Sequence, residues 1–264
     1  MNNKKLLEAR QALSMLSEYE LPVRVSLAIR RMTRSISHLA EDVEEERKKI
    51  VDRCVRKDAE GAYLTKVLSG RTVYDPGDNR ERFEKELKEL MNLEAAGQPA
   101  SVDASHFGDC NLPSSLLVVL GELVRNDLFD TTSSAKPITL ARGEWYVARD
   151  ALYALAAYNL PIVVGLRIRE ALGVLDAEYE VRRKLINTYA LKDELGDPIV
   201  TRQGDRGTYD FGENKQVFMD EDRRLSEEDV TLSVVPVLAG ELPVNLSIKT
   251  QTLIDLGEML IDES

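Results

Sequence analysis

The sequence predicts an α+β fold, predominantly helical and built from two pseudo-symmetric repeats. Three observations carry that expectation. Apolar residues recur at helical spacing through long charged segments, short β-favouring runs lie between turn residues, and the first half of the chain resembles the second. Ala9-Arg10-Gln11-Ala12-Leu13 returns as Ala148-Arg149-Asp150-Ala151-Leu152. At the same spacing Leu16, Tyr19 and Leu21-Pro22 meet Leu155, Tyr158 and Leu160-Pro161, and Arg30 meets Arg169. The spacing then shortens by four residues, so that Arg47, Lys57-Asp58, Gly61, Tyr74-Asp75, Asn79 and Phe83 match Arg182, Lys192-Asp193, Gly196, Tyr209-Asp210, Asn214 and Phe218. A four-residue deletion inside a helix rotates the downstream turns by only about 40°, so the apolar face survives it. The boundaries expected are a first repeat at 1–130, a linker at 131–141 and a second repeat at 142–264.

Each element has a cause in local pattern. Leu6, Ala9, Leu13 and Leu16 space a first helix over Lys4–Tyr19. Pro22 fits the first turn of a second helix, not its interior. In that long helix Val25, Ile29, Met32, Ile36, Leu39 and Val43 step by four and three, and Ile50 and Cys54 continue the stripe. Such a narrow seam suits helices packed side by side, and the two long helices are expected to close on one another as in a dimer fused into one chain. Gly61 can take a left-handed conformation after the helix end. A hairpin is expected over 62–74 around Ser69-Gly70, then a charged helix at Arg80–Leu93. Its counterparts are strands at Pro198–Arg202 and Gly207–Phe211 and a helix at Glu213–Leu225. Val230–Leu238 reads as a strand that Pro236 confines to an edge or bulge, and last helices are expected at Ser114–Asn126 and Val244–Ile261.

Composition narrows the function. The 264 residues carry 35 basic and 46 acidic side chains, a net charge of -11. Residues 142–264 hold 14 basic against 23 acidic, whereas residues 1–141 are nearly balanced. An acidic surface repels phosphate backbones, so general nucleic-acid coating is not expected. No run of about 18 apolar residues suggests a membrane span, and no hydrophobic leader opens the sequence, so a cytoplasmic protein is expected. Two cysteines and two histidines are too few for a zinc cage or a disulfide framework, and neither a metal nor a cofactor is expected.

Catalytic patterns are equally sparse. His38 sits beside the seam, and no GxSxG, HExxH or phosphate loop occurs. His106-Phe107-Gly108-Asp109-Cys110 has no counterpart in the second repeat. Asp75-Pro76-Gly77-Asp78-Asn79 lacks the spacing of a calcium loop, and its Asp and Asn read as helix caps. The chain is not expected to be an enzyme. One cluster stands out: Arg24, Arg30, Arg31 and Arg34 on the second helix, with Arg167 and Arg169 in the second repeat. It could hold an anion or a carboxylate-rich partner, or be a solvated face paired with Glu41 and Asp42.

Leu21-Pro22-Val23-Arg24, the seam, Glu46-Arg47-Lys48-Lys49-Ile50, Lys57-Asp58-Ala59-Glu60-Gly61 and the Phe83–Leu90 helix resemble a group of short, mostly uncharacterised phage and prophage proteins. The resemblance covers most of 4–126 and, more weakly, 145–261, where the charged helix departs and Lys192-Asp193-Glu194-Leu195-Gly196 replaces the usual helix end. It implies a viral origin and a small α+β unit, here doubled. Together these features lead us to expect a non-catalytic phage protein binding a host or defence protein in the host cytoplasm. The alternatives are a head, neck or tail component of the virion, or a binder of a small anionic nucleotide.

Overall fold

The spacing of Leu6, Ala9, Leu13 and Leu16 produces α1 (Asn3–Leu16), whose start is capped where Asn2 Oδ1 accepts from the Lys5 N–H at 2.9 Å. Pro22 stands at the N-cap of α2 (Val23–Cys54), and Val25, Ile29, Met32, Ile36, Ala40, Val43, Ile50 and Cys54 form its buried stripe. The computed structural model describes residues 1–68, 71–108, 110–193, 196–203, 206–243 and 245–261. It is mixed α+β with helix dominating, and the sheets among the described residues are all two-stranded.

The hairpin pairs β1 (Thr65–Leu68) with β2 (Arg71–Tyr74) antiparallel; the expected Ser69-Gly70 turn lies outside the described residues. After it come α3 (Arg80–Asn92), β3 (Val102–Asp103), β4 (Asn111–Pro113) and α4 (Ser114–Leu120). The last is shorter than expected: Gly121 turns to φ 50° and β5 (Val124–Arg125) pairs parallel with β3. Asn79 does not cap α3 with its side chain; its Nδ2 donates instead to the Cys54 carbonyl at 3.4 Å, closing the end of α2.

The chain divides into two compact units, Met1–Phe107 with Val119–Arg125, and Gly108–Val118 with Asn126–Ser264. In the first, the seam of α2 is packed against α1 and α3. Each unit covers the seam of its long helix with its own shorter helices. The expected linker is also structured: α5 (Thr131–Ser134) is capped by Asp130, and β6 (Lys136–Ala141) is a strand.

The second unit continues with α6 (Arg142–Ala156), β7 (Asn159–Pro161), α7 (Ile162–Tyr189), β8 (Val200–Gln203), β9 (Arg206–Tyr209) and α8 (Lys215–Ser226). Pro236 lacks an N–H, and the single strand expected over Val230–Leu238 divides into β10 (Asp229–Val234) and β11 (Val237–Leu238). β10 pairs antiparallel with β6. The expected terminal helix is confined to α9 (Thr250–Leu256), with β12 (Leu260–Ile261) beyond it; Val244 lies outside the described residues.

Leu160-Pro161, the match of Leu21-Pro22, lies in a strand. β7 pairs antiparallel with β4, Asn111 opposite Pro161, Leu112 opposite Leu160 and Pro113 opposite Asn159. Residues 110–118 thus belong to the second unit, and Val118 packs against its core around Trp145, Leu152, Leu160, Val164 and Ile168. Gly165 makes the approach possible, since a Cβ there would lie 2.6 Å from Leu117 Cδ1 and 3.0 Å from Ser114 Oγ. Gly165→Val should therefore cost about 1–3 kcal/mol by overpacking. Trp145, the single tryptophan, is buried and donates to the Val230 carbonyl at 3.0 Å, so urea unfolding monitored by its fluorescence reads this unit. An unchanged midpoint would show that residues 114–117 are not held against α7.

Candidate interaction surface

The first turns of α2 carry two chemistries. Val25, Ile29 and Met32 face inward, while Val23 and Leu27 are 75% and 49% exposed and Tyr19, just before the helix, is 38% exposed. Large apolar side chains grouped in solvent with cations between them mark a contact surface more often than a solvated face. The start of α7 differs. There Ile162 is 4% exposed and Val164 and Leu166 are fully buried, with β4 paired alongside.

The four arginines at the start of α2 do not converge. Arg24 and Arg31, two turns apart, line a shallow cavity of about 420 Å³ with Leu27, Val102, Asp103 and His106. Arg30 and Arg34, one turn apart, line another of about 420 Å³ with Leu16, Tyr19, Leu21 and Ser26. All four are exposed, and among the described residues none has an ion-pair partner. The alternative of a face paired with Glu41 and Asp42 is not formed; nearby Glu44 pairs with Arg10 at 3.2 Å and Arg47 at 3.5 Å. His106 holds the Asp103 carbonyl at 3.3 Å, and Asp109 lies outside the described residues.

Arg167 and Arg169 are used internally. Arg167 forks onto Glu241 at 2.8 and 3.3 Å and lies 4.6 Å over the Phe129 ring. Arg169 meets Glu170 at 2.7 Å with its side chain mostly buried. Such pairing leaves α2 as the place where cations of the expected cluster are exposed for a partner.

Two features of the second unit escaped the sequence reading. One is a groove of about 610 Å³ beside the β8–β9 hairpin, lined by Tyr179, Ile186, Tyr209, Phe211 and Phe218, with the two Phe rings stacked at 3.9 Å. The spacing of Tyr209, Phe211 and Phe218 was its only signal. The other is a brace of ion pairs between helices. Arg142 bonds Glu178 and Glu228, Arg182 forks onto Asp222 at 2.8 Å twice, and Asp176 accepts from Arg149 and from the Tyr153 hydroxyl, each at 2.6 Å. These partners lie on different elements, so no single periodicity marks them.

Within that brace the phenols are displaced from their ordinary range. Burial pushes Tyr146 up to about 12, and burial together with the hydrogen bond to Asp176 pushes Tyr153 up to about 12. A folded pKa above the unfolded value near 10 means that this stabilisation is complete below pH 10 and is lost as pH rises towards 12. Both phenols therefore stay protonated at neutral pH. Tyrosinate absorbance should show a late-titrating fraction that Tyr153→Phe reduces; all nine tyrosines ionising together near pH 10 would remove this assignment.

Among the described residues no group of three metal-binding side chains comes together, and no helix is long and apolar enough to cross a membrane. Comparison with protein-family models, with curated proteins and with solved structures gives no match.

Proposed function

We propose that this chain is a tandemly duplicated phage protein without catalytic activity, which works by protein–protein contact through the start of α2. The observation that carries the reading is the difference between two corresponding helix starts. Val23 and Leu27 stand in solvent where Ile162 and Leu166 are covered. A bare apolar strip with unpaired arginines on both sides suits a partner offering apolar residues and carboxylates.

The duplication has support beyond the sequence matches. Helix, long helix, hairpin, 3-10 turn and charged helix succeed one another in α1 to α3 and again in α6 to α8. Gly61 and Gly196 share a positive φ, 86° and 82°. Asn79 donates to the Cys54 carbonyl as Asn214 does to that of Tyr189, and isolated bridges join Lys57 to Tyr63 and Lys192 to Pro198. β3 pairs with β5, and β11 with β12, both parallel. A second reading, a building component of the phage particle, is favoured by β4, a strand of the first repeat that completes the second unit. A repeat that lends a strand to the next suits an assembly. Nucleotide capture has less behind it, because the arginines divide between two cavities.

Photo-crosslinking in the host tests the surface. A photoreactive residue at Val23 or Leu27 should give discrete protein adducts, and one at the exposed Val217 of α8 should not. Leu27→Asp should reduce the Val23 adducts at least tenfold, a loss of about 1.4 kcal/mol or more. Equal labelling at Val217, or none at Val23 and Leu27, would end the reading.

A further inference from the structure

We infer that the occupant of the α2 surface is a second copy of this chain, whose residues 247–256 cover it head to tail as β4 and α4 cover the start of α7 within one chain. The inference rests on the duplication and the α2 surface proposed above, and it names the partner.

Position within the duplicated unit points to the occupant. Leu120-Gly121-Glu122 recurs as Leu256-Gly257-Glu258, with Gly121 and Gly257 at φ 50° and 51°. This spacing aligns α4 with α9 and places Ser247-Ile248-Lys249 where β4 stands. In the second unit, β4 pairs with β7 and Leu117 approaches Gly165. Neither of the corresponding halves has a strand partner among the described residues, residues 20–22 at the position of β7 or residues 247–249, although Ile248 and Leu253 are partly buried against the core of their own unit and only their outer sides face solvent. The side chains agree. Val118 packs into the second unit's core, whereas its counterpart Ile254 is 64% exposed. Across from it, Val23 and Leu27 are the bare counterparts of Ile162 and Leu166.

Joining the two halves in the register of β4 and β7 sets Ile248 opposite Leu21, Ser247 opposite Pro22 and Lys249 opposite Glu20. The apolar pair stays central and the flanking pair gains opposite charges. The covering segment brings one carboxylate, Asp255, with Glu258 just beyond it, towards the arginines of α2. One departure needs accommodation: Ser26 replaces Gly165, so the terminal methyls of Leu253 must turn aside from its Cβ. The contact is heterologous, each copy using a different patch, so it adds chains in series until a ring closes or the solution is exhausted.

Light scattering on the full chain, with two variants at exposed positions, tests this. Wild type should rise with concentration to at least twice the 29.6 kDa chain mass. Leu27→Asp and Ile254→Arg should each stay at one chain mass. An equal mixture of the two should give a two-chain species and nothing larger, because only one competent pair of surfaces remains. That complementation also shows that both variants are folded. Wild type remaining at one chain mass at its highest soluble concentration, a variant assembling like wild type, or a mixture that stays monomeric would each overturn the inference. If wild type stays monomeric while Val23 still crosslinks to another protein, the α2 surface stands and the second copy is wrong.

Discussion

A long amphipathic helix with a narrow apolar seam cannot stand in water alone, and the structure is arranged around covering two of them. α2 and α7 carry the longest buried stripes of their units, and the shorter elements are placed where those stripes need cover. Burial of this kind is roughly proportional to the apolar area withdrawn from water, so many short elements serve as well as one sheet. That explains why small two-stranded sheets suffice among the described residues. They join the ends of covering segments and do not form a layer of their own.

The two long helices are covered to different extents. α7 is packed by α6 and α8 along its length, and β4 and Leu117 complete its start. α2 has its seam covered by α1 and α3, yet its outer first turns keep Val23, Leu27 and four arginines in solvent. The difference is not one of sequence hydrophobicity alone, since Leu21-Pro22 and Leu160-Pro161 are the same dipeptide. It arises because Leu160-Pro161 is paired with β4, whereas Leu21-Pro22 has no strand partner among the described residues.

Charge obeys the same division of labour. In the second unit Arg142, Arg149, Arg167 and Arg182 are each satisfied by a carboxylate on another element or a distant turn, and several lie over aromatic rings. Partly buried guanidinium groups are held in place only where such partners exist. Arg24, Arg30, Arg31 and Arg34 of α2 have no carboxylate partner among the described residues and remain in solvent, where a cation is fully hydrated.

The helices were legible in the sequence because their physical cause is local. The 3.6-residue spacing of Leu6, Ala9 and Leu13, the placement of Pro22 and the breaking power of Pro236 act within a few residues of themselves. The arginine cluster was legible as a composition, and so were the matches between the two halves. What periodicity could not reveal was which surface covers which. The seams of α2 and α7 looked ready for each other, but each is packed by shorter helices of its own unit. Residues 131–141 looked like a linker, yet they supply the partner of β10, because strand pairing depends on backbone groups far away along the chain. Only the tertiary structure decided that residues 110–118 complete the second unit, that Arg167 is consumed by Glu241, and that Val23 and Leu27 stay exposed. Covering and pairing are long-range choices among several apolar faces of similar quality. A one-dimensional pattern fixes the faces; packing selects their partners.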